Sequence, residues 1–241
     1  MIGNLRQIWA RVCQTLRGVV SRGVLAACLF ASPVHAKDLT AIELVLALDC
    51  SASVDSKEFK LQIQGIAEAF RDPEVLLAVK NLQPFGVAIA VTQWGAAGET
   101  REVVPFTLIE NERDAKAFGF RVSLIRRWIR ASETSIATGI NDARELIERN
   151  EFEGQRKVID LSGDGQENSD VSLSNARDVA NASGITINGL PISAEDKTLA
   201  EYYDKNVIVG ADSFIEPADG FEDFARAIKE KLIRELRPLG S

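Results

Sequence analysis

The chain has 241 residues, 46% of them hydrophobic and 26% charged, which fits one large globular domain and excludes low-complexity, collagen-like and disulfide-rich classes. Its net charge of -7 leaves no basic footprint for nucleic acid. Three cysteines cannot build a disulfide framework, and a lone histidine, His35, argues against histidine-based acid–base catalysis or a zinc centre.

Residues 1–36 carry Arg6, Arg11, Arg17 and Arg22 and no acid, then an apolar run from Gly23 to Ala31, then Pro33 and the small-residue site Val34-His35-Ala36. This pattern predicts a secretory signal peptide cleaved after Ala36. Two alternatives compete with it. The segment can stay on as an N-terminal anchor, or Leu25-Ala26-Ala27-Cys28 can act as a lipobox, although few apolar residues separate Arg22 from Cys28. Cleavage leaves a domain of residues 37–241 with 24 basic and 35 acidic residues, a net charge of -11, one cysteine (Cys50) and no histidine. No second long apolar segment follows, so the mature chain is expected to have no membrane span and to be periplasmic or secreted.

From there strands and helices alternate. Ile42 to Leu48 is a near-continuous apolar run, the pattern of a strand buried on both faces. Asp55-x-x-Glu58 is a capping box, and Phe59, Ile63, Ile66 and Phe70 follow at helical spacing until Asp72-Pro73 stops them. Gly86 to Val91 reads as a second strand and Arg101 to Leu108 as an antiparallel edge strand. Phe118, Val122, Ile125 and Ile129 mark a helix, and Ile140, Ala143 and Ile147 mark another. Val158–Leu161 is a strand, a helix starts behind Ser172, and Ile185–Leu190 and Val207–Val209 are strands. Phe221, Phe224, Ile228 and Leu232 stripe a last helix, closed by Pro238 and Gly240. The expected fold is α/β: an open, mostly parallel, doubly wound sheet flanked by helices, in one domain.

In such a sheet ligands bind beyond the carboxyl ends of the strands. The first strand is followed by Asp49-Cys50-Ser51-Ala52-Ser53 and the Val158 strand by Ser162-Gly163-Asp164-Gly165. Ahead of the Ile140 helix stands Glu133-Thr134-Ser135-Ile136-Ala137-Thr138-Gly139. Two carboxylates and several hydroxyls therefore converge on one sheet edge, an all-oxygen set suited to magnesium, manganese or calcium.

Asp49-x-Ser51-x-Ser53, a loop threonine and a later Asp-Gly resemble the metal-ion-dependent adhesion site (MIDAS) of von Willebrand factor A (integrin I-like) domains. The resemblance runs from about Leu39 to Leu236 in the order of strands and helices. It implies a metal set of Asp49, Ser51, Ser53, Thr134 and Asp164, with serines and threonine as direct or water-bridged ligands and the aspartates acting mainly through water. Thr134 is favoured over Thr138 because Thr134 to Ile140 matches the family's Thr-x-x-Ala-Thr-Gly-Ile spacing. More narrowly, Val158 to Gly165 and Phe221 to Ile228 are similar to hallmarks of an exported bacterial family of this fold with uncharacterised function. Two departures stand out: Gly163 separates Ser162 from Asp164, which is expected to shift the loop by one residue, and the usual glycines before Thr134 are missing.

Other residues carry plainer expectations. Asp55, Ser135 and Thr138 read as caps or turn hydroxyls. Cys50 reads as a small buried residue and Trp94 as core or rim packing. Gln166, Glu167 and Asn168 read as solvated loop, and Trp128 with Arg126, Arg127 and Arg130 as a solvated helix face. The resemblance implies an exported, non-catalytic binding module whose divalent cation takes an Asp or Glu carboxylate from a protein partner. The alternative is a haloacid-dehalogenase-like phosphatase, suggested by Gly163-Asp164-Gly165 but weakened because Ser51 stands where the general acid is needed. A cytosolic partner of an AAA-type ATPase is a third class, which the signal peptide opposes.

Overall fold

The computed structural model describes residues 37–193 and 198–238. The expected signal peptide, its cleavage point, Cys28 and His35 lie outside the described residues. In chain order the elements are β1 (Asp38–Asp49), α1 (Ser56–Ala69), α2 (Pro73–Lys80), β2 (Val87–Trp94), β3 (Thr100–Ile109), α3 (Glu112–Ser123), α4 (Ile136–Arg149), β4 (Phe152–Gly163), α5 (Leu173–Ala182), β5 (Ile185–Pro191), α6 (Thr198–Asn206) and α7 (Phe224–Glu235).

The five strands form one sheet in the order β3-β2-β1-β4-β5. β1 pairs in parallel with β2 and β4, β4 pairs in parallel with β5, and only β3 is antiparallel, at the edge. This is the expected open, doubly wound α/β sheet with one antiparallel edge strand.

The apolar run of β1 explains the layering. Ile42, Leu44, Leu46 and Leu48 point to one face, where Phe59, Ile63 and Ile66 of α1 pack with α2, α3 and α7. Val45 and Ala47 point to the other, against Ile136, Ile140 and Ile147 of α4 and residues of α5 and α6. No helix among the described residues is long and apolar enough to cross a membrane.

Four elements differ from expectation. Asp72-Pro73 does more than follow the end of a helix: α1 stops at Ala69 with Phe70 as its cap, and Asp72 caps a new helix, accepting from Glu74 N at 2.8 Å, with Pro73 at its first position. The Phe118 helix stops at Ser123 rather than running through Ile129. The side chain of Gln93 takes over the backbone there, accepting from Trp128 N at 2.8 Å and Ile129 N at 3.3 Å and donating to Arg126 O at 2.8 Å. Val207–Val209 does not form a strand but a single bridge between Val209 and Ile187. Helix α6 carried no clear stripe in the sequence, yet it buries Leu199 and Tyr203.

Candidate metal centre

Asp49 closes β1 and is fully buried. Ser51 N donates to its Oδ1 at 2.7 Å, which turns the chain back on itself as β1 ends. The other oxygen, Oδ2, is buried and has no hydrogen-bond partner among the described residues. The Ser51 and Ser53 hydroxyls are 3.2 Å apart, and Ser53 Oγ donates to Asp164 Oδ1 at 2.6 Å. The D-x-S-x-S turn and the Asp-Gly turn after β4 therefore meet.

Gly163 does not carry Asp164 away from this meeting point. It is the last residue of β4, and a β-carbon placed on it would lie 2.7 Å from Tyr203 Oη and 2.9 Å from Asp49 Oδ2. Glycine leaves the space in which the Asp49 carboxylate and the Tyr203 hydroxyl sit. The Tyr203 hydroxyl is also buried without a hydrogen-bond partner among the described residues.

Thr134 joins from the loop before α4. It is 6% exposed. A β-carbon on Gly165 would touch its Oγ1 at 3.4 Å, so the threonine hydroxyl faces the Asp164-Gly165 turn. Its backbone is clamped by Asn168: Thr134 N donates to Asn168 Oδ1 at 2.8 Å, and Asn168 N donates to Thr134 O at 3.0 Å. All five expected residues are thus drawn together at the carboxyl end of the sheet.

The Gln166–Asn168 stretch is not simply solvated. Glu167 accepts from Ala137 N at 2.8 Å with one oxygen, and with the other from Ser169 N at 3.1 Å and Ser169 Oγ at 2.6 Å. Ser135 caps α4 and pairs with Ser169 Oγ at 2.9 Å. These bonds fasten the Thr134 loop to the Asp164 loop. Thr138 receives Gly98 N at 3.3 Å and Ser135 Oγ at 2.9 Å, a turn role as expected. Asp55 caps α1 through Lys57 N at 2.6 Å and Glu58 N at 2.9 Å.

Arg127 is likewise misread as part of a solvated helix face. It sits in the irregular segment after α3, and its Nη2 donates to Cys50 O at 3.0 Å and Ser51 O at 2.8 Å. It braces the loop that carries the serines. Trp94 ends β2 fully buried, with its ring against Gly139, so it packs the core.

The electrostatics follow from burial. Asp49 is pushed up to about 7, first by desolvation and then by the charge of Asp164. Burial also raises Asp164, Cys50 and Tyr203 above their ordinary values, and Asp49 adds to the shift of the last two. Among the described residues no lysine or arginine forms an ion pair with Asp49 or Asp164. No group of three or more His, Cys, Asp and Glu is gathered there for a metal either, so the oxygen set consists of two carboxylates with hydroxyls. The set is two acids under mutual repulsion, three hydroxyls and one unpartnered carboxylate oxygen.

Solved structures with this fold share its shape. Proximal thread matrix protein 1 from the mussel byssus, in a structure described as having a zinc-occupied MIDAS motif, matches at 17% identity and a TM-score of 0.57, over 84% of this chain and 48% of that one. The chain thus spans about half the length of the mussel protein. The vWF domain of the type V pili tip protein Mfa5 from Porphyromonas gingivalis matches at 13% identity and a TM-score of 0.58, over 82% of this chain and 95% of that one. BatB from Bacteroides thetaiotaomicron, described as a conserved hypothetical protein, matches at 19% identity and a TM-score of 0.55, over 81% and 98%. At these identities the likeness is one of fold. No match is found among curated proteins. A family model described as "Protein of unknown function (DUF1194)" matches residues 39–239; the chain belongs to that family, and its fold is that of a von Willebrand factor A domain.

Proposed function

We propose that this chain is a binding module that holds one divalent cation through Asp49, Ser51, Ser53, Thr134 and Asp164 and uses it to take an acidic group of a protein partner. The observation that carries the reading is Asp49: a fully buried carboxylate beside a second acid, with one oxygen unpartnered and, among the described residues, no cationic side chain paired to either acid. A buried charge without a counter-charge is costly, and a cation is the missing partner. The all-oxygen donors favour magnesium, manganese or calcium. The zinc in the mussel relative's MIDAS supports a divalent site of this type in the fold.

A bound cation supplies a positive centre able to accept a carboxylate oxygen, and so reverses the local sign of an acidic protein. The chain's own residues do the rest. Ser51 and Ser53 present hydroxyls on a turn held by Asp49 and braced by Arg127. Asn168 and Glu167 hold the Thr134 loop in place. Among the described residues no base is paired with a nucleophile: Cys50 is buried and its thiol is held protonated by burial and by Asp49. We therefore read the module as non-catalytic. We read it as exported, on the signal-peptide pattern of residues 1–36.

A thermal melt tests this. Chelated protein is compared with protein in magnesium, manganese or calcium, beside Asp49→Ala. A ligand that binds only the folded state at 100 times its Kd adds about 2.7 kcal/mol. A rise in Tm with one of these cations that disappears in Asp49→Ala is the expected result. A folded wild type that responds to none of them contradicts the reading.

A further inference from the structure

Asp49 and Asp164 lie at the carboxyl ends of their strands; a different site lies near the amino ends of β4 and β5. There a cavity of about 460 Å³ opens between the two strands, the end of α7 and the segment after α6. Its size falls within the range of small-molecule pockets, roughly 300–1,000 Å³.

Three guanidinium groups line it: Arg156 from β4, and Arg234 and Arg237 from the end of α7. None of the three forms an ion pair among the described residues, in a chain whose acids outnumber its bases by seven. Arg156 is fixed in place, its Nη2 donating to Glu235 O at 2.6 Å and Arg237 O at 2.7 Å. Its remaining N–H groups make no hydrogen bond among the described residues. The guanidinium of Arg234 lies over the Phe214 ring at 3.7 Å. Two acids also line the cavity, Asp212 and Glu235, whose Oε1 receives Lys231 Nζ at 2.6 Å and Asn188 Nδ2 at 2.9 Å. Lys231 is shared with Asp160, so Glu235 and Asp212 both oppose the three arginines, and three guanidinium groups against two carboxylates leave the lining net positive. Phe214 and Val158 add an apolar wall.

We propose that this cavity binds a small organic acid with at least two carboxylates on a carbon frame. Guanidinium forks match carboxylates in a bidentate way that a lysine cannot. Two such groups satisfy arginines that a single carboxylate would leave in excess, and the Phe214 wall receives the frame.

The test is calorimetric titration of the full chain with isophthalate, an aromatic dicarboxylate, and separately with inorganic phosphate, both at constant ionic strength. Isophthalate is expected to bind saturably, one per chain. Asp49→Ala should leave its affinity unchanged, since the two sites are apart. The double variant Arg234→Gln/Arg237→Gln should weaken it by about tenfold or more, because hydrogen bonds to charged groups contribute at least that factor. Both side chains are exposed, so the double variant is expected to fold, and a melt checks this; if it does not fold, the two single variants carry the same comparison. No saturable isophthalate binding, or affinity unchanged in the arginine variants, overturns the proposal. Phosphate binding as tightly as isophthalate overturns the organic-acid part and leaves a plain oxyanion site.

Discussion

Two pairs of acids, one anchored by Asp49 of β1 and the other by Asp160 of β4, meet burial in opposite ways. In the middle of the sheet, Asp160 of β4 faces Glu235 of α7, and the chain places a lysine between them. Lys231 is fully buried, with its Nζ 2.9 Å from Asp160 and 2.6 Å from Glu235. Asn188 donates to Glu235 as well. At the end of the sheet, Asp49 and Asp164 have hydroxyls and backbone N–H groups around them but, among the described residues, no paired cationic side chain. The one guanidinium close by, Arg127, spends its Nη2 on the carbonyls of Cys50 and Ser51. Burial raises both Asp49 and Asp160 above the ordinary carboxylate range. The difference teaches what each site is for. A structural acid pair is closed by a cation of the chain itself. The pair left open, at the carboxyl edge of the sheet, is the one we propose takes its cation from solution.

The sharpest way to break this comparison is to open the closed pair. Lys231→Met strands two buried carboxylates, and removing one partner of a buried ion pair costs roughly 3–5 kcal/mol. Urea unfolding should show a loss of that size, with the response to metal still present if the variant folds. A loss below about 1 kcal/mol would mean that the lysine is not what makes burial of Asp160 and Glu235 tolerable.

Next in size is Gly163→Ala. The added β-carbon would fall within 2.7 Å of Tyr203 Oη and 2.9 Å of Asp49 Oδ2. Overpacking of this kind costs about 1–3 kcal/mol. Because the crowding falls on Asp49, the cation response should weaken along with stability. An alanine variant with unchanged metal affinity would show that the space beside Gly163 does not serve the site.

The pH dependence reads the open pair without any substitution. Asp49 titrates at about 7 in the folded chain against 3.8 when unfolded, so the folded state holds its proton more tightly. Stability in chelator should then fall as pH rises from about 4 to about 7. A Tm lower by about 2–4 °C for each kcal/mol lost is the signal to look for. Cation addition should reverse that trend above pH 7 and have little effect near pH 5, where a proton occupies the carboxylate. A cation effect as large at pH 5 as at pH 8 would disconnect Asp49 from the metal.

Much of the open site could be read in the sequence, and almost none of the closed one. Asp49 and Asp164 each follow an apolar run long enough to be a buried strand, so their place at a strand's carboxyl end was legible. Ser51, Ser53 and Thr134 were singled out by the resemblance to the metal site of von Willebrand factor A domains, set against that frame. Lys231 and Glu235 look instead like an ordinary i,i+4 surface pair on a striped helix, and only the packing of α7 against the sheet buries them. Glu167 and Asn168 look like solvated turn residues because their partners, Ala137 and Thr134, are some thirty residues away. The same holds for Gln93, a strand residue whose side chain stops a helix that Ile125 and Ile129 would otherwise extend. Local pattern reports strands and stripes; it does not report which polar side chain will replace a backbone bond.

The central claim is that one acid pair needs an external cation and the other does not. Counting bound manganese by electron paramagnetic resonance tests it directly, in the wild type, in Asp49→Asn and in Asp160→Asn. The account predicts one manganese per chain in the wild type, none in Asp49→Asn, and one in a folded Asp160→Asn. Manganese retained in Asp49→Asn, or absent from a folded wild type, would contradict it.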